Sequence, residues 1–545
     1  MRVTCEIIRF TYKFIKGYRF KIWCYLFAGT ILYLITSIIP LVVGAFIDVF
    51  SGNAKIDNVM MLCVVFLGLS IFQVILCYYV KIEGTKICSG ASNKMKADFF
   101  LHMQKVSSLK HKIDDPAALA DRINNECEYL IMFLCNLGMQ FPGKCVGTVI
   151  IIVYIATKNW ILAIAVLFVI PLLVFFHKKT CNVIYETSFQ CEKARNHFFS
   201  IMYEQLGQMR LIRTHAIFDF MHKRIVKAGN ACLDANVNQE RKAFKYALFC
   251  SNTDIFLKLF LFAIGGVSLI NGLISIGEFT VLYSYLGIIS ENLSYFINVS
   301  QEVYQYKAFL DQLKEIDALE EEILGKDKLC TIDSIEITNM NFGYPDGDKL
   351  YCDYSKIFEK GKLYCLVGDN GAGKSTLVNN ILGLFVDATG EAINYNGNNL
   401  CGIDIYDTRN RLVGVCEQEV DMLDDTLRNN LLYCEDESID MDRFKAICES
   451  LGLFCDLEPE KKFEDVMSRN ALELSGGQRQ KFVLARAIYK DPSVLILDEP
   501  SAALDKLSVE KLKIMLQQLK MNKIIIVISH DSEIIEISDE IVGVE

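Results

Sequence analysis

Six apolar stretches, each of about 20 residues, set the first limit on what this chain can fold into. They fall near 22–47, 58–80, 131–156, 159–177, 247–272 and 279–299. Each is long enough for a helix to cross the hydrocarbon of a bilayer, where only a helix or a closed barrel satisfies its own backbone. The pattern predicts six membrane-spanning helices. The even number puts both chain ends on the same side.

The connections are unequal. Residues 48–57, 157–158 and 273–278 are short and nearly free of basic residues. Residues 81–130 and 178–246 are long and carry Lys94, Lys96, Lys105, Lys178, Lys179, Arg210, Arg213, Lys223 and Arg224. Basic residues favour the cytoplasmic side, so the long connections are expected there. They keep a helical period, which predicts helices running well past the membrane, with elbows near Asp115-Pro116 and His215-Ala216. Residues 1–21 hold Arg2, Arg9, Lys13, Lys16 and Arg19 and read as a cytoplasmic lead-in.

Not all of the chain belongs in lipid. It is 52% hydrophobic, yet 22% of it is charged, and the mean hydropathy is +0.27. At 545 residues it exceeds a single compact domain. The grammar changes after Gln305. Residues 312–329 form a charged linker, and from Cys330 short β-type runs alternate with helices and Gly-rich turns. The expected domains are 1–311 (all-α, transmembrane), 312–329 (linker) and 330–545 (α/β). The net charge of −10 excludes nucleic acid as a main partner. The 20 cysteines form no C-x-x-C pair, so they read as reduced and structural. Cys365 and Cys416 sit on strands beside the motifs described next, where oxidation would inhibit.

Residues 363–367 read as a buried strand, followed by Gly368-Asp369-Asn370-Gly371-Ala372-Gly373 and then Lys374-Ser375-Thr376 opening a helix. Such a loop aims backbone N–H groups at phosphate oxygens at a helix N-terminus that favours anions. Lys374 is expected on the β- and γ-phosphates, and Ser375 on Mg²⁺. A second apolar strand, 494–497, ends in Asp498-Glu499. Asp498 suits the metal, and Glu499 can orient and activate an attacking water. Between them, Ser475-Gly476-Gly477-Gln478 opens another helix. That is a second anion-binding device, and it invites a nucleotide held by another chain.

With these motifs in this order the sequence resembles the ABC exporters of the half-transporter type, over nearly its whole length. The resemblance implies ATP and Mg²⁺ as cofactors and a second half-transporter as partner, a homodimer ahead of a heterodimer. It implies two ATPase domains closing head to tail over two ATP molecules. It places Tyr344 against adenine and gives Gln418 to Mg²⁺ and the attacking water. It puts His530 on the γ-phosphate and 501–505 at the dimer interface. Two features depart from the family. Residues 466–470, Val-Met-Ser-Arg-Asn, stand where it usually has Gly-Glu-x-Gly. Glu545 ends the sequence where a further hairpin and helix are usual.

Polar residues inside spans are costly and mark functional positions. Lys144 and Glu291 each lie about 13 residues from the outer edge of their span, roughly 20 Å deep. Gln73 and Asn292 fall at similar depth. Two readings stand: a polar belt lining a substrate path, or a structural Lys144–Glu291 pair. The expected function is ATP-driven export of a peptide, lipid or hydrophobic small molecule by a multi-pass protein of the cell membrane, with both termini and the ATPase domain cytoplasmic. The alternative is an ATP-gated channel or regulator on the same frame.

Overall fold

The computed structural model describes residues 2–51, 56–107, 109, 116–345, 349–369, 371–418, 420–433, 440–453 and 473–544. The chain divides into two compact units. One comprises residues 1–101 and 115–318. The other comprises 102–114 and 319–545.

The first unit is helical. An amphipathic α1 (Arg2–Ile15) leads into α2 (Arg19–Ser51), α3 (Ile56–Lys105), α4 (Pro116–Lys158) and α5 (Trp160–Gly207). Then come α6 (Met209–His215), α7 (Phe218–Phe260), a π turn at Leu261–Gly265, α8 (Gly266–Ile270) and α9 (Ile276–Asp317). Among the described residues, α2, α3 and α4 carry windows long and apolar enough to cross a membrane. The other expected spans fall on α5, on α7 with α8, and on α9. Helices α3, α5, α7 and α9 run well beyond a membrane's thickness, as the helical period of the long connections predicts. The elbow near His215 is a left-handed residue, Ala216, at φ 50°. Asp115, in the other elbow, lies outside the described residues. Helix α9 also carries helix into the segment read as linker, ending at Asp317.

Helices α2, α4 and α9 pack closely because small residues meet at their crossings. A Cβ on Gly277 would fall 2.0 Å from the Gly44 carbonyl, and one on Gly143 would fall 2.8 Å from the Tyr33 Cβ. The core of this unit is apolar, with Ile151, Leu162, Leu257, Leu282, Leu286 and Ile289 buried together.

The second unit holds two sheets. A four-stranded antiparallel sheet has the order β2-β1-β4-β5, made of β1 (Ser334–Gly343), β2 (Lys349–Glu359), β4 (Ile393–Tyr395) and β5 (Asn398–Asn399). A five-stranded parallel sheet has the order β6-β7-β8-β3-β9. Its strands are β3 (Leu363–Val367), β6 (Val413–Cys416), β7 (Val494–Asp498), β8 (Ile524–Ile528) and β9 (Glu540–Gly543). Strand β8 and residues 494–497 of β7 read as unbroken β-branched and Leu runs because both faces are covered. All five residues of β8 are buried.

Candidate functional site

Parallel strands all end at the same edge of a sheet, and open α/β sheets bind ligands at that carboxyl edge. Here four neighbours end there in turn. Strand β6 leads to Gln418 and β7 ends at Asp498 before Glu499. Strand β8 leads to His530, and β3 runs into the loop 368–373. Residues scattered over more than a hundred positions therefore line one cavity of about 500 Å³. Its walls include Tyr344, Gly371, Gly373, Lys374, Ser375, Thr376, Gln418, Asp498, Glu499 and His530.

The loop needs glycine where it turns. Gly371 and Gly373 have φ 92° and 99°, and Gly373 caps α10 (Lys374–Ile381). Lys374 is nearly buried, and its Nζ donates to the Gly368 and Asp369 carbonyls at 2.6 and 3.0 Å. Its charge is thus held over the mouth of the loop. The Tyr351 hydroxyl donates to the Gly373 carbonyl at 2.9 Å and pins the turn from behind. Asn370 lies outside the described residues. Gly368, Asp369 and Ala372 form the rest of the loop, where a Cβ on Gly368 would meet the Val544 carbonyl at 2.2 Å.

Ser375 Oγ lies 3.5 Å from Asp498 Oδ2. Burial raises the Asp498 carboxyl above the usual range against the pull of Ser375 and Lys374, and burial raises Glu499 as well. Two adjacent desolvated carboxyls facing a hydroxyl and the Gln418 amide are a set of hard oxygen donors suited to Mg²⁺. Glu499 is strained: its φ is 45°, and its N–H donates to the Ile528 carbonyl at 2.9 Å. A non-glycine residue held there marks a position where the backbone serves the site.

Tyr344 follows β1 directly. Its ring meets Phe342 and Phe385 edge-on at 5.4 and 5.9 Å, and its hydroxyl is 3.3 Å from the Thr376 hydroxyl. Tyr344 is 42% exposed and lines the cavity. Leu350, Ala502 and Ile528 also line the cavity. Leu350 and Tyr351 were missed from sequence: they are ordinary strand residues with no spacing signal.

Ser475, Gly476, Gly477 and Gln478 are not among the residues lining this cavity. They open α11 (Gly476–Tyr489), where Ser475 and Gln478 form a capping box with bonds of 3.0 and 3.3 Å. Ser475 and Gly476 are exposed. Residues 466–470 lie outside the described residues. Cys365 and Cys416 are fully buried. Burial pushes both thiols up, Cys416 to about 12, so neither is a reactive thiolate at neutral pH.

In the helical unit Lys144 is buried, with its side chain 4% exposed, whereas Glu291 is 75% exposed. Lys144 Nζ donates to Glu291 Oε1 at 3.2 Å and to Asn292 Oδ1 at 3.3 Å. It also lies 5.0 Å from the centres of the Tyr33 and Tyr295 rings. Asn292 is buried and donates to Thr148 Oγ at 3.0 Å. Gln73 is half-buried on α3.

Comparison with known proteins agrees with this architecture. The ABC transporter transmembrane region matches residues 22–293, and the ABC transporter family matches 353–502. An uncharacterized ABC transporter ATP-binding protein of Bacillus subtilis is 24% identical, over 93% of this chain and 88% of its own length. The ATP-dependent lipid A-core flippase of Syntrophus aciditrophicus is 23% identical over 95% and 86%. The solved structure of a bacterial Atm1-family ABC exporter with ATP bound shares 18% identity. It covers 97% of this chain and 94% of its own, with a TM-score of 0.80, and so shares the fold. With the membrane region and the ATPase region of one family joined in a single chain, the protein belongs to the ABC exporters as a half-transporter, an ATPase coupled to transport.

Proposed function

We propose that two copies of this chain close over two ATP molecules and so drive an amphipathic cargo out across the membrane by alternating access. The observation that carries this reading is the split site: the phosphate loop lines a cavity, while Ser475 to Gln478 lie outside it, Ser475 and Gly476 exposed and Gly477 and Gln478 half-buried. A second chain supplying that helix N-terminus would complete each site. In this reading residues 1–311 span the cell membrane, 312–329 link, and 330–545 form the cytoplasmic ATPase domain.

Lys374 and the loop N–H groups hold the phosphates. Ser375, Asp498 and Gln418 hold Mg²⁺, which would neutralise phosphate charge. Tyr344 stacks on the base, Glu499 orients the attacking water, and His530 contacts the terminal phosphate. Gln73, Lys144, Glu291 and Asn292 are assigned to the path of the cargo. Relatives named as lipid A-core flippases and as a putative multidrug export protein of Bacillus subtilis favour a lipid or hydrophobic molecule over a peptide.

The test is ATP-dependent uptake of a fluorescent lipid by inside-out vesicles carrying the protein, together with Glu499→Gln. Replacing a catalytic carboxylate should lower ATP turnover by about 100-fold or more while ATP still binds. Uptake should fall with it. Flux that continues in the variant would make the chain an ATP-gated channel, and near-normal turnover would remove Glu499 from its assigned role.

A further inference from the structure

We propose that Glu291 is the residue by which the exporter selects cargo carrying a positive charge, an inference that rests on the export reading above.

The argument starts from which partner of the Lys144–Glu291 pair is presented. The two are opposite in charge but not in exposure: the lysine is 4% exposed and the carboxylate 75%. The cation is spoken for. It has Glu291 Oε1, the Asn292 carbonyl oxygen and two tyrosine rings around it. An anion would have to displace Glu291 to reach it. Glu291 Oε2 has no protein donor among the described residues. What a passing molecule meets is a carboxylate, not an ammonium.

The second step is where that carboxylate faces. Next to Glu291, the exposed face of α9 carries Ser294 and Asn298. By contrast, within the apolar stretches α3 exposes Val64, Leu67 and Ile71, and α5 exposes Ile164 and Phe168. Those faces suit lipid. A charge is costly against acyl chains and is kept where it lines an aqueous path. The α9 face at Glu291 therefore belongs to water and to whatever moves through it.

The third step is how firmly the carboxylate is held. Asn292 is tied to Thr148, whose hydroxyl donates to the Lys144 carbonyl at 2.7 Å. The close approach at Gly143 brings Tyr33 over Lys144. Three helices thus fix the lysine, and the lysine fixes one oxygen of Glu291. The other oxygen presents a preset negative charge, an acceptor for an ammonium and an electrostatic partner for a lipophilic cation that has no N–H.

Tetraphenylphosphonium and tetraphenylborate test this, because they match in size and differ in sign. Binding of each to the nucleotide-free full-length protein reads the site without pumping. The cation should bind better than the anion. Glu291→Gln should weaken cation binding roughly tenfold and leave the anion unchanged. Glu291→Asp should keep the preference. The double variant Lys144→Met/Glu291→Gln leaves no buried cation uncompensated, and it should lose the preference as the single variant does. A preference that survives Glu291→Gln, or its absence from the unsubstituted protein, overturns the proposal. ATP-driven uptake of both ions into inside-out vesicles separates this from the export reading. Cation binding through Glu291 with no ATP-driven movement leaves the selection standing and defeats export. Movement of both ions alike keeps export and defeats the selection.

Discussion

Glu126 shows how much one side chain can cost when its partners are incomplete. It lies on α4 before the membrane span begins, is 5% exposed, and leaves Oε2 without a hydrogen bond. Arg122 Nε is 3.6 Å from the other oxygen, and Glu315 adds repulsion. Burial, the larger effect, pushes the Glu126 carboxyl up to about 7. A carboxyl that holds its proton more tightly when folded stabilises the fold most at low pH. That stability is complete below about 4.5 and is lost as pH rises through about 7. The change is on the order of 3 kcal/mol. Glu126→Gln, neutral at every pH, should leave thermal stability near pH 5 almost unaltered and raise it at pH 8. Equal effects at both pH values would mean that the carboxyl is not held protonated. None of this was legible beforehand, because Glu126 sits among charged residues and reads as one more of them. The residues that line the cavity at the sheet's carboxyl edge could be picked out beforehand, since phosphate chemistry demands particular types at fixed spacing. Tyr351 could not, because its hydroxyl reaches Gly373 only after β2 and the loop have folded together.

At the scale of elements, apolar length was enough to find the membrane helices but said nothing of how one is fastened to the next. The fastening of α2 to α9 is polar. Asp48, near the end of α2, accepts from the Ser275 hydroxyl at 2.6 Å and from the Gly277 N–H at 2.7 Å. It thereby serves two donors at the start of α9, where backbone N–H groups have no partner within the helix. Glu278 completes a capping box with Ser275 and pairs with Lys158 of α4. In the sequence Asp48 is a lone acid at a span edge, the commonest place for a solvated charge, so its role had no signal. Asp48→Ala should destabilise the folded protein by about 1–3 kcal/mol through the two stranded donors. Asp48→Asn, which keeps one acceptor, should cost less. Gly277→Val should be worse than either, because its Cβ would collide with the Gly44 backbone. Thermal unfolding of the three variants gives the ranking, and a harmless valine at 277 would rule out the close approach.

At the scale of the whole molecule, the proposed dimer turns on whether a second chain completes the phosphate site. The sequence offers two phosphate-binding elements, the loop at 368–373 and the run at 475–478. The fold adds that only the first lines the cavity. Two copies arranged head to tail would hold two identical sites, each with a loop from one chain and a helix N-terminus from the other. That arrangement has a consequence for mixtures. Lys374→Ala disables the loop, and Ser475→Arg blocks the helix N-terminus with bulk and charge, so a dimer of either variant has no intact site. A mixed dimer concentrates both lesions in one site. The other site pairs an unaltered Lys374 loop with an unaltered Ser475 run. Co-expressed variants, purified through a different tag on each, should therefore hydrolyse ATP faster than either variant alone. If each chain were sufficient by itself, the mixed dimer would contain two broken sites and stay as inactive as its parents. The sign of that difference decides between a composite site and a self-contained one, without knowledge of the cargo.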